Sequence, residues 1–103
     1  MPTYAARYTY RTDEATAAEK ARLRPDHRAF IAGLDESKAL MLAGPWGADD
    51  PDGGLVVIAA DDHAAAAELI SNDPYVQAGL LENLTITQWR AVLGPLAAAI
   101  PAE

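Results

Sequence analysis

The sequence contains no cysteine. That removes disulfides, thiolate metal sites and cysteine nucleophiles in one step. Positive charge is also scarce: Lys and Arg number 8 against 15 Asp and Glu, a formal net charge of −7. An acidic surface repels phosphate backbones and anionic lipid, so neither nucleic acid nor a membrane is expected as a partner. No stretch approaches the ~20 apolar residues of a spanning helix. Met1-Pro2-Thr3-Tyr4 lacks the basic-then-apolar start of a secretory signal, so the expected location is the cytoplasm. Large aliphatics are thin as well. Of the 103 residues 23 are alanine, while Leu, Ile, Val and Phe together number only 21. That is near the lower bound for a folded domain, and a chain of this length forms one small, marginal domain. The shortage predicts that a partner surface completes the core, so a homo-oligomer is expected, with a homodimer as its simplest form.

What is present reads as a short series of elements. Tyr4, Ala6, Tyr8 and Tyr10 alternate with Ala5, Arg7, Thr9 and Arg11, the pattern of a strand with two unlike faces. Asp13 to Arg22 holds good helix formers and few large apolar residues, which predicts a short exposed helical turn. Pro25 is expected to reset the chain, because proline suits the first position of a new helix. From there Leu23, His27, Phe30, Ile31 and Leu34 recur at helical spacing and form an inward stripe. His27 is therefore expected to face the core side.

The apolar runs Ala39 to Ala43 and Leu55 to Ala60 read as two strands of a hairpin around Gly47 to Gly54. Asp61-Asp62 supply an N-cap for a helix from His63 to about Asn72, stopped by Pro74. Tyr75 to Leu80 reads as a tight turn, and Asn83 to Val92 alternates as a last strand. The order is βαββαβ: an α+β, ferredoxin-like fold with an antiparallel four-stranded sheet and both helices on one face. Residues 1–93 form the domain and 94–103 a tail.

Topology of this kind hosts many functions. RNA recognition needs aromatic and basic residues on the central strands, and Leu55 to Ala60 offers none. Asp49-Asp50-Pro51-Asp52-Gly53 lacks the ligand spacing of a calcium loop and reads as a solvated hairpin tip. His63 beside two aspartates is an exposed first-turn residue, short of the ligands a metal site needs. His27 has two readings: a core histidine bonded to one backbone group, or a proton-transfer group whose second nitrogen is free. Asp73 likewise reads either as the cap of the turn that Pro74 opens or as the partner of His27.

Four stretches stand out together: Arg24-Pro25-Asp26-His27, Leu42-Ala43-Gly44-Pro45, Gly54-Leu55-Val56-Val57-Ile58, and Asn72 to Gly79. In them the chain resembles the YCII-related family. The resemblance spans roughly Tyr4 to Val92. It implies a dimeric α+β barrel and a catalytic histidine–aspartate pair that maps onto His27 and Asp73, with halide elimination from a hydroxylated ring as an activity assigned within the family. The expected function is cofactor-independent acid–base chemistry on a small cyclic or enolic molecule, with a non-catalytic ligand-binding module as the alternative. Arg24, Gly44, Pro45, Trp46 and Tyr75 are the expected substrate-binding residues: Arg24 for an anionic oxygen, Gly44-Pro45-Trp46 for the pocket mouth, and Tyr75 for its hydroxyl or for packing.

Overall fold

The computed structural model describes residues 1–100; the end of the expected tail, residues 101–103, lies outside them. Strand β1 (Thr3–Tyr10) is followed by helix α1 (Glu14–Glu36), strands β2 (Leu40–Pro45) and β3 (Gly53–Ala59), helix α2 (His63–Ser71), the one-turn helix α3 (Pro74–Gln77) and strand β4 (Leu81–Gln88). The four strands form one antiparallel sheet in the order β2-β3-β1-β4. This is the expected α+β arrangement. Among the described residues no helix is long and apolar enough to cross a membrane.

The tyrosine alternation of β1 builds the core. Tyr4, Ala6, Tyr8 and Tyr10 are buried together with Val56 and Ile58 of β3, Ile70 of α2 and Leu34 of α1. On the opposite sheet face Arg7 is exposed and its guanidinium lies 5.2 Å from the Trp46 ring, a cation–π contact. Part of that face is nevertheless closed, since Thr3, Val57 and Ala59 are buried. The chain leaving β4 stays at this end: the Trp89 N–H donates to the Thr3 carbonyl, and Ala91 and Ile100 are buried further on.

Three boundaries differ from the sequence expectation. The expected break at Pro25 is absent, because α1 is one helix that contains it. Proline removes one backbone bond and costs about 3 kcal/mol in a helix interior. Here Ala21 and Pro25 are both exposed, so water can serve the freed carbonyl, while Leu23 and Phe30 on either side pack on the same core. Asp13 caps the helix: its carboxylate accepts from the Thr16 N–H and from the Thr16 hydroxyl at 2.7 Å. That carboxyl is held below its usual range by the Thr16 hydroxyl first and the Thr16 amide second.

The last strand runs Leu81–Gln88 instead of 83–92, because its partner β1 sets the limits. Pairing extends from Tyr10↔Leu81 to Tyr4↔Gln88, and β1 ends one residue later at Thr3, whose carbonyl takes the Trp89 N–H. Tyr75 to Leu80 is not a simple turn. It completes α3, whose end is closed by the Leu80 N–H donating to Tyr75 and the Gly79 N–H to Val76, with Gly79 at φ +71°.

Candidate active site

Asp73 sits where two helices meet. Residues before proline are pushed out of helical geometry, so α2 ends at Asn72 and Asp73 adopts an extended backbone (φ −65°, ψ 124°). Its side chain caps α3 by accepting the Tyr75 N–H at 3.0 Å. The same carboxylate reaches His27 Nδ1, at 2.8 Å from Oδ1 and 2.9 Å from Oδ2. The Tyr8 hydroxyl donates to Oδ2 at 2.7 Å. Asp73 is fully buried, and a carboxylate without donors there would be strongly unfavourable. Three donors meet that demand. The cap and the histidine partner are thus one residue performing both roles.

The consequence falls on His27. A carboxylate only accepts, so Nδ1 carries the proton and Nε2 keeps a lone pair. Among the described residues Nε2 has no partner. The ring stacks on Tyr75, with centroids 4.1 Å apart and planes 7° from parallel. The Tyr75 hydroxyl donates to the Lys20 carbonyl at 3.1 Å and so fixes its own ring. Carboxylate and stacking together hold the imidazole in one orientation.

This ring lines a cavity of about 470 Å³ between α1 and the β2–β3 hairpin. Of the expected binding residues, Arg24, Gly44, Pro45 and Tyr75 all line it. Trp46 does not: its ring is taken up by Arg7, and Arg7 belongs to the sheet face away from the helices. Tyr75 contributes its ring, while its hydroxyl is committed to the backbone. A Cβ on Gly44 would meet nothing within 4 Å, so the wall is open there. Gly53 is the opposite case, because a Cβ would come within 2.0 Å of the Tyr8 carbonyl oxygen. Only glycine lets β3 approach β1 that closely.

Among the lining residues not expected from sequence, Tyr8, Tyr10, Lys20, Arg28 and Asp52 carry polar or charged groups. Lys20 pairs with Asp52 of the hairpin loop, and its ammonium lies 4.1 Å from the Tyr10 ring. The signal for Tyr8 was available, since a buried phenol needs a hydrogen-bond partner and the alternation had placed it inward. Burial first, and the Asp73 charge second, raise the Tyr8 hydroxyl far above the usual phenol range. Tyr10 is raised by the same two causes in the same order. Tyr8 therefore stays a donor and is no candidate for a base.

Residues 3–90 match the family model of the YCII-related domain. The chain belongs to the YCII-related family. Protein YciI of Escherichia coli O6:H1 and that of Shigella flexneri are each 34% identical over alignments covering 81% of this chain and 94% of the relative. A solved structure with the same fold is the 5-chloro-2-hydroxyhydroquinone dehydrochlorinase TftG from Burkholderia phenoliruptrix AC1100, in complex with 2,5-dihydroxybenzoquinone. It superposes with a TM-score of 0.72 over 87% of this chain and 95% of that chain, at 18% identity. Within the YCII-related fold, then, the His27–Asp73 pair lies where α1 and the α2–α3 junction face each other across one end of the sheet.

Proposed function

We propose that this YCII-related protein is a cofactor-independent enzyme that moves a proton on a small cyclic or enolic molecule, with His27 as the base and Asp73 as the group that orients it. One observation carries the reading: Nδ1 is pinned to a buried carboxylate while Nε2, without a partner among the described residues, belongs to a ring that lines a cavity. Nε2 takes a proton from a ring hydroxyl or an acidic carbon. The electron pair left behind either forms an enolate or expels a leaving group such as halide. A positioned acid–base group of this kind is worth about 100- to 10,000-fold in rate. The fold likeness to a dehydrochlorinase in complex with a hydroxylated quinone favours a hydroxylated ring as substrate.

The test is a panel of hydroquinones, chlorinated hydroquinones and cyclic enols, followed by proton exchange in D2O and by halide release. Wild type should act on at least one member, and His27→Asn should lose about 100-fold or more of that rate. Equal rates for the two proteins across the panel would sink the proposal.

We also propose that two copies pair. Val92, Leu93 and Leu96, directly after the sheet, are 65%, 91% and 70% exposed. Together with the scarcity of large aliphatics, this supports burial against a second chain. Sedimentation should give a dimer at micromolar concentration, and a folded monomer there would refute the pairing.

A further inference from the structure

The chain has six arginines, and their partners divide them sharply. Arg7 lies over Trp46, Arg11 donates to the Gly79 carbonyl, Arg22 pairs with Glu19, and Arg90 also has an interaction. Arg24 and Arg28 have no partner among the described residues, and both line the cavity beside His27. They stand four residues apart on α1, one turn along the same helix face. Because α1 continues through Pro25, the row extends back to Lys20 and forward to Ile31 on the cavity wall. Lys20 is already neutralised by Asp52, the acidic residue of the lining. Two guanidinium groups are left without counter-charge.

The location runs against the charge of the whole molecule. At a net charge of −7 the surface as a whole repels anions. At physiological salt, however, charges more than ~8 Å apart are largely screened, so what an anion meets in the cavity is set by the nearest groups. A guanidinium offers a planar fork that matches the two oxygens of a carboxylate.

We infer that the cavity takes a small cyclic carboxylate, its carboxyl group held by Arg24 and Arg28 while its ring lies against His27. This rests on the proposed reading in one respect only, that the cavity beside His27 is where the small molecule binds. Arg24 and Arg28 act before any proton moves, so their role appears in affinity, whereas that of His27 appears in turnover.

The experiment compares 2,5-dihydroxybenzoate with uncharged hydroquinone by NMR titration of the labelled protein at neutral pH. The carboxylate should bind wild type at least tenfold more tightly. Its advantage should fall to within about twofold in the Arg24→Met/Arg28→Met double variant and should persist in His27→Asn. Rising salt should weaken the carboxylate and leave hydroquinone nearly unchanged, a readout that needs no variant. Equal affinity of the two probes for wild type, an advantage that survives loss of both arginines, or an advantage indifferent to salt overturns the inference. A retained carboxylate advantage with no turnover of any substrate by wild type supports the inference while removing the acid–base reading.

Discussion

The molecule has two histidines, both on helices, and their surroundings separate a potential base from a packing residue. His27 gives Nδ1 to a fully buried carboxylate, stacks flat on Tyr75 and lines the cavity. His63 gives Nε2 to the Ile86 carbonyl at 2.7 Å, meets the Tyr4 ring edge-on at 5.9 Å and is exposed in the first turn of α2. Each ring therefore has one bonded nitrogen and one aromatic neighbour. The difference lies in the acceptor. A carboxylate stabilises a positive charge on the imidazole far more than a peptide carbonyl does, and only one of the two rings borders a space where a substrate would sit.

The strongest way to break this contrast is to replace the carboxylate. Asp73→Ala should cost about 3–5 kcal/mol of stability, read as a lower urea midpoint, because His27, the Tyr8 hydroxyl and the Tyr75 amide all lose their acceptor in a dry site. Asp73→Asn keeps the shape but must place an amide N–H₂ toward one of these donors. The expected outcome is a switch of the His27 proton to Nε2, visible in long-range ¹⁵N–¹H spectra, with the rate down about 100- to 10,000-fold. A variant with the wild-type tautomer and undiminished activity would show that the carboxylate is only a cap.

Tyr8→Phe sharpens the contrast next, since it leaves Asp73 two donors instead of three. It should cost about 2 kcal/mol, in the range of a hydrogen bond to a charged group, with turnover reduced less than in Asp73→Asn. Little change in both would mean that the phenol is incidental to the pair.

How far the pair was legible follows from particular residues. The spacing of Leu23, His27, Phe30, Ile31 and Leu34 identifies the helix face, and the helix geometry is regular enough for that to hold in space. Asp73 offered two readings that local sequence treats as rivals. Only the fold, by setting α1 beside the α2–α3 junction, shows that one carboxylate satisfies both. Pro25 misled for a related reason: propensity counts the missing backbone bond but not the packing on either side that outweighs it. That misreading also hid Lys20, which a separate exposed helix would have kept away from the cavity. Trp46 shows the remaining limit. Its neighbours Gly44 and Pro45 line the cavity, but the ring follows Arg7 to the other face, and a cross-strand contact of that kind has no local signature.

A smaller effect comes from alkali. Tyr8 and Tyr10 are raised in the fold while a phenol in the unfolded chain ionises near ~10. Above that pH the native state binds more protons than the unfolded state, so stability is intact below ~10 and declines as pH rises further. Absorbance near 295 nm should therefore show these two phenols ionising only together with unfolding. Full ionisation of all four tyrosines in a still-folded protein would contradict the buried hydrogen-bonded arrangement around Asp73.

The least effect belongs to the second histidine. His63→Gln removes one hydrogen bond to a backbone carbonyl at an exposed helix start, where water replaces the lost donor, so the expected cost is about 0.5 kcal/mol. Turnover and probe binding should be unchanged, because His63 neither lines the cavity nor touches Asp73. The informative measurement is the pair of variants side by side: His27→Gln inactive and less stable by about 2 kcal/mol, because the buried Asp73 carboxylate loses a donor, and His63→Gln only slightly unstable and active. If His63→Gln instead abolished activity, the acceptor bonded to each imidazole would no longer be what distinguishes them, and the base would have to be sought at the start of α2.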